Sequence, residues 1–255
     1  MKKIATALLL SALAASFAFA DDDAPAADAT TTISLGANLT DGNSDTLGLT
    51  ARLQNEAPFA ETWKNVLSAE ANYGETDDEK SVDNAKIQEN LQKSFTSLIY
   101  GAVDASAAYD DIALLDYRFI LGPAVGLHVV ATDPFTLDVE VGPSYVWEKI
   151  DDSDDEDGDG EPDAVGGKDD YLAIRFAERA AWTISKTSKL VQDLEYLPEA
   201  EDFDRYLLNA GISLETKVAA NLVLSISLED KYNSEPAAGK DENDLSLVAS
   251  LGLAF

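Results

Sequence analysis

The sequence predicts an all-β protein, an antiparallel transmembrane β-barrel of about 12 strands, and three observations favour this fold class. Apolar and polar residues alternate along most of the chain, the connections between alternating segments are long and short in turn, and aromatic residues recur near the segment ends. An even number of strands places both chain termini on the periplasmic side.

A period of two is clearest in the last segment. Residues 245–255 carry leucine, alanine or phenylalanine at every odd position, and the segment ends in Phe255. Because alternate side chains of a strand point to opposite faces, such a segment has one apolar face for lipid and one polar face for the barrel interior. The N-terminal strands, from residue 31, follow the rule more weakly. The clear pattern recurs in residues 222–231, 205–218, 135–148 and 115–129.

The connections fall into two alternating sets, which supply an independent test. Outer-membrane barrels have tight periplasmic turns and longer extracellular loops. We therefore assign the longer, acidic set to the cell exterior, together with the short connection at 109–112. The longer connections begin at Asp41, Gly74, Asp151, Glu199 and Asn233. The shorter ones lie at 94–96, 132–134, 186–187 and 219–221, with a somewhat longer one at 57–62.

Aromatic residues mark both ends of the predicted strands, as in the interfacial girdles of membrane barrels. A soluble β-sandwich or a lipocalin-like barrel, with the apolar face inside, is the alternative. A soluble core of this size would contain more large apolar residues. The expected outer girdle comprises Tyr73, Tyr109, Tyr145, Trp147, Tyr171, Tyr206 and Tyr232, and the inner one Trp63, Phe135, Trp182 and Phe255.

The chain begins with a targeting segment. Residues 1–20 combine two lysines, an apolar stretch and the sequence Ala18-Phe19-Ala20, which is typical of a signal peptide and its cleavage site. Residues 21–30 form a short acidic leader of disordered type. Residues 31–255 are the predicted barrel, with an acidic extracellular loop at 151–170. Beyond the signal peptide, the sequence has no apolar run of the roughly 18 residues that a membrane helix needs.

Composition excludes several functions. The 255 residues include 48 Asp and Glu against 18 Lys and Arg, one histidine and no cysteine. Disulfides, thiolate zinc sites and cysteine nucleophiles are therefore excluded, and a net charge of −30 disfavours nucleic acid as a partner. His128 is expected to face the interior near the inner end of its strand. We expect no enzymatic activity and no resident cofactor.

Three stretches carry a family resemblance. They are SLGANLTDGNSDTLGLTARL from Ser34, LDYRFILGPAVGLHVVATDPFTLDVEVGPSYVWE from Leu115 and DYLAIRFAERAAW from Asp170. They resemble the YdiY-like salt-induced outer-membrane protein family, a domain of unknown function from Gram-negative bacteria. The resemblance implies a barrel and a location in the outer membrane, and it leaves the molecular task unstated. The acidic insert at 151–170 is longer than the family pattern. The most specific matches are the G-N-S-D-T turn at Gly42, D-Y-R-F at Asp116, the glycines Gly122 and Gly126, and G-P-S-Y at Gly142.

Charges of both signs fall on the polar faces of the predicted strands. In a closed barrel they either line a narrow aqueous lumen or pair with one another and plug it. The excess of acids favours cations if water passes. The candidate lumen-lining residues are Arg118, Arg175, Arg179, Arg205, Asp116, Asp138, Glu140 and Glu215.

The acidic loop contains a metal-binding pattern. Asp155, Asp157, Asp159 and Asp163 have the spacing of an EF-hand calcium loop, but Gly166 stands where the pattern requires its closing Glu. Affinity for Ca²⁺ is therefore expected to be weak, about millimolar. A solvated acidic loop without bound metal is the alternative.

The sequence thus predicts an outer-membrane barrel of the salt-induced type, structural or a narrow cation-leaning channel. A cell-surface binding or adhesion module that acts through its acidic loops is the second hypothesis. The expected partners are outer-membrane lipid and, through the terminal Phe255, the barrel-assembly machinery. The oligomeric state, the permeant solute and any ligand are open at this point.

Overall fold

The computed structural model describes residues 29–40, 46–153 and 165–255, and these ranges contain 12 β-strands. The signal peptide, most of the acidic leader, the turn at Gly42 and the four predicted calcium ligands lie outside the described residues. The strands are β1 (Thr30–Thr40), β2 (Thr46–Ala60), β3 (Trp63–Thr76), β4 (Glu79–Ser94), β5 (Ile99–Asp110), β6 (Leu115–Ala131), β7 (Phe135–Ile150), β8 (Gly167–Thr183), β9 (Ser188–Pro198), β10 (Tyr206–Lys217), β11 (Leu222–Asn233) and β12 (Asn243–Ala254).

Each strand pairs antiparallel with its neighbours in sequence, and β1 pairs with β12 to close the sheet into a barrel. The predicted fold class is therefore confirmed. At the closing seam, the backbone N–H groups of Thr31 and Phe255 each donate to the other residue's carbonyl oxygen at 2.9 Å. We call the end of the barrel where β1 begins and β12 ends the terminal end, and the opposite one the distal end. Among the described residues, no helix has the length and apolar character needed to cross a membrane.

The barrel is apolar outside and polar inside. Leu247 and Leu251 of β12 are 73% and 48% exposed on its outer surface. On the inner surface, Asp104, Glu140 and Arg175 are only 2%, 8% and 6% exposed. This is the reverse of a soluble protein, in which apolar side chains fill the core. It is the distribution expected of a barrel whose outer surface meets hydrocarbon.

The connections predicted at Gly74 and at 57–62 were wrong in detail, and some strands are longer than a membrane span requires. A tilted strand needs about 9 to 11 residues to cross a bilayer, but β6 and β8 are 17 residues long and extend beyond such a span. The acidic connection predicted at Gly74 is only the pair Asp77 and Asp78, because both adopt left-handed φ angles of 53° and 66°. Aspartate tolerates this region better than most residues and so closes a tight hairpin. The connection at 57–62 is also tight, since β2 continues to Ala60.

The glycines that carry the family resemblance lie where the interior is crowded. A Cβ atom at Gly126 would lie 2.1 Å from the ring of Tyr100, which is paired with it in register and is 1% exposed. Cβ atoms at Gly122 and Gly142 would lie 2.1 and 2.0 Å from carbonyl oxygens of the facing strand. The absence of side chains at these positions lets β6 and β7 approach closely and seats the Tyr100 ring inside the barrel.

Candidate functional site: the charged interior

Arg175 is the centre of the largest group of interior contacts. It projects inward from β8, where the alternating positions Tyr171 and Ala173 are also buried. Its guanidinium lies 2.8 Å from Glu140, 2.6 Å from Glu195 and 3.5 Å from Asp104. One cation is thereby shared by three carboxylates from three different strands.

Contacts also cross the barrel at this level. Gln88 Nε2 on β4 donates to Glu195 Oε2 on β9 at 3.3 Å, and Lys86 Nζ lies 3.6 Å from Glu195 Oε1. In the closed order of strands β4 and β9 are five places apart, which is nearly opposite in a ring of 12. Asn90 of β4 likewise donates to Glu140 of β7 at 3.0 Å. Side chains from opposing walls therefore meet in the middle of the lumen.

A second charged group lies on the other side of the interior. Arg52 of β2 pairs with Glu70 of β3 at 2.7 Å and with Glu229 of β11. The same guanidinium donates to Ser227 Oγ of β11 at 2.9 Å. Its contacts therefore reach across β1 and β12, which separate β2 from β11.

His128 faces the interior at the terminal end, as the alternation predicts. Its Nδ1 lies 2.7 Å from Asp138 Oδ1, and its ring stacks on Tyr100 with centroids 4.7 Å apart. The Tyr100 hydroxyl in turn donates to Glu140 at 3.0 Å. These contacts connect His128 to the Arg175 group through Tyr100.

Arg205 gathers the carboxylates of the distal end. It lies in the connection between β9 and β10 and contacts Glu148 at 3.0 Å, Asp169 at 2.6 Å and Glu199 at 3.1 Å. Its guanidinium also lies 4.4 Å from the centre of the Tyr171 ring. Although burial acts to lower the pKa of Arg205, the hydrogen bond to Asp169 and the surrounding negative charges raise it above its ordinary value.

The other predicted lumen-lining residues also face the interior. Arg118 Nε donates to Glu148 at 2.6 Å, and Lys149 Nζ lies 2.9 Å from Asp116. Arg179 lies 3.5 Å from Asp193 in an exposed pair. Glu215 is in register with Lys189 of β9. The structure thus brings Arg175 and Glu140 together in one group and Arg118 and Arg205 around Glu148, while Arg179 and Glu215 lie apart.

One part of the interior is apolar, which the sequence reasoning missed. Inward side chains of β6 to β10 form a buried cluster, and Tyr171 belongs to it although it was expected in the outer girdle. That expectation was wrong because Tyr171 is paired with the inward-facing Val146, so its ring lies inside beneath Arg205. The available signal was the presence of large apolar residues at polar-face positions. The cluster comprises Ile120, Val146, Tyr171, Ala173, Leu197 and Leu207.

A small cavity lies at the distal mouth. It measures about 260 Å³ and is lined by Glu148, Lys168, Asp169, Arg205 and Glu235 among others. In the described ranges, no group of three or more His, Asp or Glu side chains is arranged to hold a metal ion. The predicted calcium ligands Asp155, Asp157, Asp159 and Asp163 are not among those residues, so the calcium hypothesis stays a prediction.

Comparison with known proteins identifies a family and a fold. The chain is similar to the translocator domain of autotransporter NalP from Neisseria meningitidis, with 11% identity and a TM-score of 0.52 over 98% of this chain and 97% of that chain. It is also similar to the COG4313 outer membrane channel from Pseudomonas putida F1, with 9% identity and a TM-score of 0.53 over 91% of this chain and 97% of that chain. At these identities the likeness concerns the fold alone, which is that of outer-membrane β-barrels. No curated protein matches the chain. The family model described as "Protein of unknown function, DUF481" matches residues 33–255, and the chain therefore belongs to this family.

Proposed function

We propose that this protein is an outer-membrane β-barrel of a Gram-negative bacterium, of the salt-induced type. Contacts between interior side chains close its lumen, and both of its termini lie in the periplasm. The outward leucines and inward charges support the membrane location, because only a lipid environment favours that distribution. The long connections at the distal end support its assignment to the cell exterior. The role that follows is structural.

The main support for a closed lumen is the contact between side chains of β4 and β9, which lie on opposite walls of the barrel. Lys86 and Gln88 reach Glu195 from the opposite wall, and Arg175 holds the same carboxylate from the neighbouring strand β8. A solute that crossed this level would have to separate groups already joined by charge and hydrogen bonds. We therefore expect the resting barrel to exclude ions.

Planar-bilayer recording tests this proposal. The purified wild-type protein should leave the bilayer silent, whereas Glu195→Ala should produce conductance because it removes the acceptor that Lys86, Gln88 and Arg175 share. Glu215→Ala is a matched control, since Glu215 faces the interior outside this group. Discrete conductance steps from the resting wild-type protein would contradict the closed interior.

A narrow cation-leaning channel is the second candidate, and the charge of the central layer favours it. Asp104, Glu140 and Glu195 face two cations, Arg175 and Lys86, so acids are in excess. If the wild-type barrel does conduct, the reversal potential in a salt gradient should indicate preference for cations. Preference for anions would rule out this candidate.

The acidic exterior loops support the alternative of surface binding. We propose that Asp155, Asp157, Asp159 and Asp163 bind Ca²⁺ with a dissociation constant of about 1 mM, because oxygen ligands are present but the closing Glu is missing. Calorimetric titration of the whole protein with Ca²⁺ tests this, with Asp157→Asn as the variant and Asp202→Asn as the control in another distal connection. Equal heats from both variants would contradict the site.

We further propose that the terminal Phe255 is recognised by the barrel-assembly machinery and that the barrel has no enzymatic activity. The composition supports the second statement, since the chain has a single histidine, His128, and no cysteine to act as general base or nucleophile. Phe255→Ser should lower the amount of folded barrel in the outer-membrane fraction. Phe203→Ser, in a distal connection, should not.

A further inference from the structure

We infer that the closing seam between β1 and β12 contains a lateral opening, which admits the zwitterionic head group of a membrane lipid from the outer leaflet into the barrel. The inference rests on the membrane location and the exterior position of the distal end proposed above. The opening comprises residues 36–40 of β1 and 243–250 of β12, and we call it the open seam.

The ladder between the first and last strands ends partway along them. In the described structure it comprises four register pairs, the last of which joins Leu35 to Leu251. Both strands continue beyond this pair. β1 stays paired with β2 as far as Thr40, and β12 stays paired with β11 as far as Asn243. Within the open seam, each strand of the described structure therefore has a ladder on one side only.

Backbone groups at the start of the open seam show the break directly. Alternate residues of a strand direct their backbone groups to the same neighbour, so those of Ala37 face β12, as those of Thr31 do. The described ladder nevertheless stops before the pair of Ala37 and Ala249. A Cβ atom at the inward position Gly36 would lie 2.7 Å from the Ala249 carbonyl oxygen, so this oxygen has shifted toward the lumen side of β1. Unpaired strand edges are costly in hydrocarbon, where no water can bond them.

Apolar side chains on the outer side of the open seam have lost a neighbour. Leu245 and Leu247 of β12 are 65% and 73% exposed. Leu228, which is paired with Leu247 from β11, is only 42% exposed. A strand paired along both edges of β12 would cover more of these leucines. Acyl chains can therefore lie directly beside the break.

The inner side of the open seam carries charges of both signs. Ser246 of β12 is exposed on the inner surface, where it is paired with Glu229 of β11. Lys231, the next inward residue of β11, is paired with Asp244. Glu229 also forms an ion pair with Arg52 from β2. A phosphate group and an ammonium group that arrived through the open seam would each find opposite charge there.

The open seam lies in the outer half of the membrane. Ala249 is six residues from Phe255 in the inner girdle. With about 3.3 Å per residue and a tilt of about 40°, this interval corresponds to a height of roughly 15 Å. Ser246 and Asp244 are higher still and approach the level of the lipid head groups in the outer leaflet. A head group can therefore reach the charges of the inner side without crossing the hydrocarbon.

The shape of the opening favours a lipid head group over another protein strand. Strands that are hydrogen-bonded, as at Leu35 and Leu251, lie about 4.8 Å apart, so the opening is a wedge that begins at this pair. An added β-strand would need about this spacing on each of its sides and cannot enter the base of the wedge. A narrow zwitterionic head group can bond the unpaired backbone groups and leave its acyl chains beside Leu245 and Leu247. Phosphatidylethanolamine has this chemistry.

Photocrosslinking in mixed vesicles of phosphatidylethanolamine and phosphatidylglycerol tests the inference. A genetically encoded diazirine side chain at position 246 lies on the inner surface beside the open seam. One at position 106, on the inward face of β5, is the control on a wall remote from the seam. We expect a phosphatidylethanolamine adduct at 246, identified by mass spectrometry, and only background at 106. The phosphatidylglycerol adduct at 246 should be weaker, because this lipid lacks the ammonium group.

Two engineered disulfides determine the route of entry, because the chain has no native cysteine. Ala37→Cys with Ala249→Cys joins the strands within the open seam. Ile33→Cys with Leu253→Cys joins them within the existing ladder and is the matched control. The first disulfide should reduce the adduct at 246 to background, and its reduction should restore the adduct. The second disulfide should leave the adduct unchanged.

Heat-modifiable migration on gels provides the folding control. A folded, membrane-inserted barrel without an adduct at 246, or with an equal adduct at 106, would overturn the inference and leave the proposed function intact. An adduct that persists when the open seam is closed by its disulfide would also overturn it. Equal adducts of the two lipids would overturn the assignment of a zwitterionic head group. A water-soluble wild-type protein would instead contradict the proposed function.

Discussion

Arg175 illustrates how single residues stabilise this barrel. Its side chain and those of Asp104 and Glu140 are each at least nine-tenths buried, so removal of the cation would leave enclosed carboxylates with neutral hydrogen-bond donors but without their counter-charge. The loss of one partner from a buried charge group is costly, whereas an exposed pair contributes little. Arg179, whose side chain is 42% exposed and pairs with Asp193, is the natural comparison.

We predict that Arg175→Met lowers the free energy of unfolding by about 3 kcal/mol, because three carboxylates lose their shared cation. Arg179→Met should lower it by less than about 1 kcal/mol. Urea titrations in detergent micelles, followed by tryptophan fluorescence, measure both values. If the two substitutions lowered the free energy of unfolding equally, burial of the Arg175 group would make no additional contribution to stability.

The glycine at position 126 gives a second prediction. Gly126→Ala should lower the free energy of unfolding by about 1–3 kcal/mol. The added Cβ would lie 2.1 Å from the Tyr100 ring and would displace the Tyr100 hydroxyl from Glu140. Gly211→Ala is the control, because the nearest atom to its Cβ, Glu229 Cγ, is 4.0 Å away. Unfolding titrations compare the two variants. If Gly126→Ala were as stable as the control, the close packing of Tyr100 would be refuted.

At the scale of elements, the turn between β3 and β4 depends on backbone conformation. Asp78 has φ of 66°, a region that β-branched residues strongly disfavour. We predict that Asp78→Val lowers the free energy of unfolding by about 1–2 kcal/mol. Glu61→Val, in the equally short β2–β3 turn and without a positive φ, should change it by less than about 0.5 kcal/mol. Thermal unfolding measures the stability of both variants. Equal stability would contradict the prediction that the positive φ at position 78 disfavours a β-branched residue.

The sequence predicted the strands better than their ends. Alternation identified β6, β7 and β10 to β12 because one face is almost wholly apolar, and this pattern has no competing interpretation as a helix. It did not reveal that Asp77 and Asp78 close a two-residue turn, because acidic residues are common in loops of any length. Tyr171 was assigned to the wrong face for a related reason. An aromatic residue at a strand end suits either the membrane interface or a cation inside. Tyr171 has the parity of Arg175 and Arg179, so alternation within β8 places it inside, and its pairing with Val146 agrees.

The interior charges were predictable individually but not as groups. Parity placed Arg175 and Glu140 inside, since residues of one face recur at every second position. Which carboxylate meets which cation depends on register between strands that are distant in the chain, as with Gln88 and Glu195. The sequence contains no local signal for such a contact, and the central position of Tyr100 was missed for the same reason.

At the scale of the whole molecule, the opposite polarity of neighbouring residues gives a direct prediction. Leu247 is 73% exposed on the outer surface, while Val248 is paired with the inward-facing Ser227, which is 3% exposed. Nitroxide labels at Leu247→Cys and Val248→Cys in vesicles should therefore differ. The first should collide freely with lipid-dissolved oxygen, and the second should be shielded from it.

Equal oxygen accessibility at both positions would contradict the barrel wall. A Leu247 label shielded from lipid and water alike, within a water-soluble monomer, would contradict the membrane location as well.

The bridge from Gln88 and Lys86 to Glu195 has a consequence for the order of assembly. The two sides of this bridge are separated by about a hundred positions in the chain. Gln88 and Lys86 can reach Glu195 only after the sheet has closed into a barrel. The contact of Lys86 with Glu195 is thus a late event, simultaneous with closure, whereas Arg175 can pair with Glu140 and Glu195 as soon as β7, β8 and β9 have paired. Until closure, the Lys86 ammonium group on β4 lacks this carboxylate and must remain hydrated.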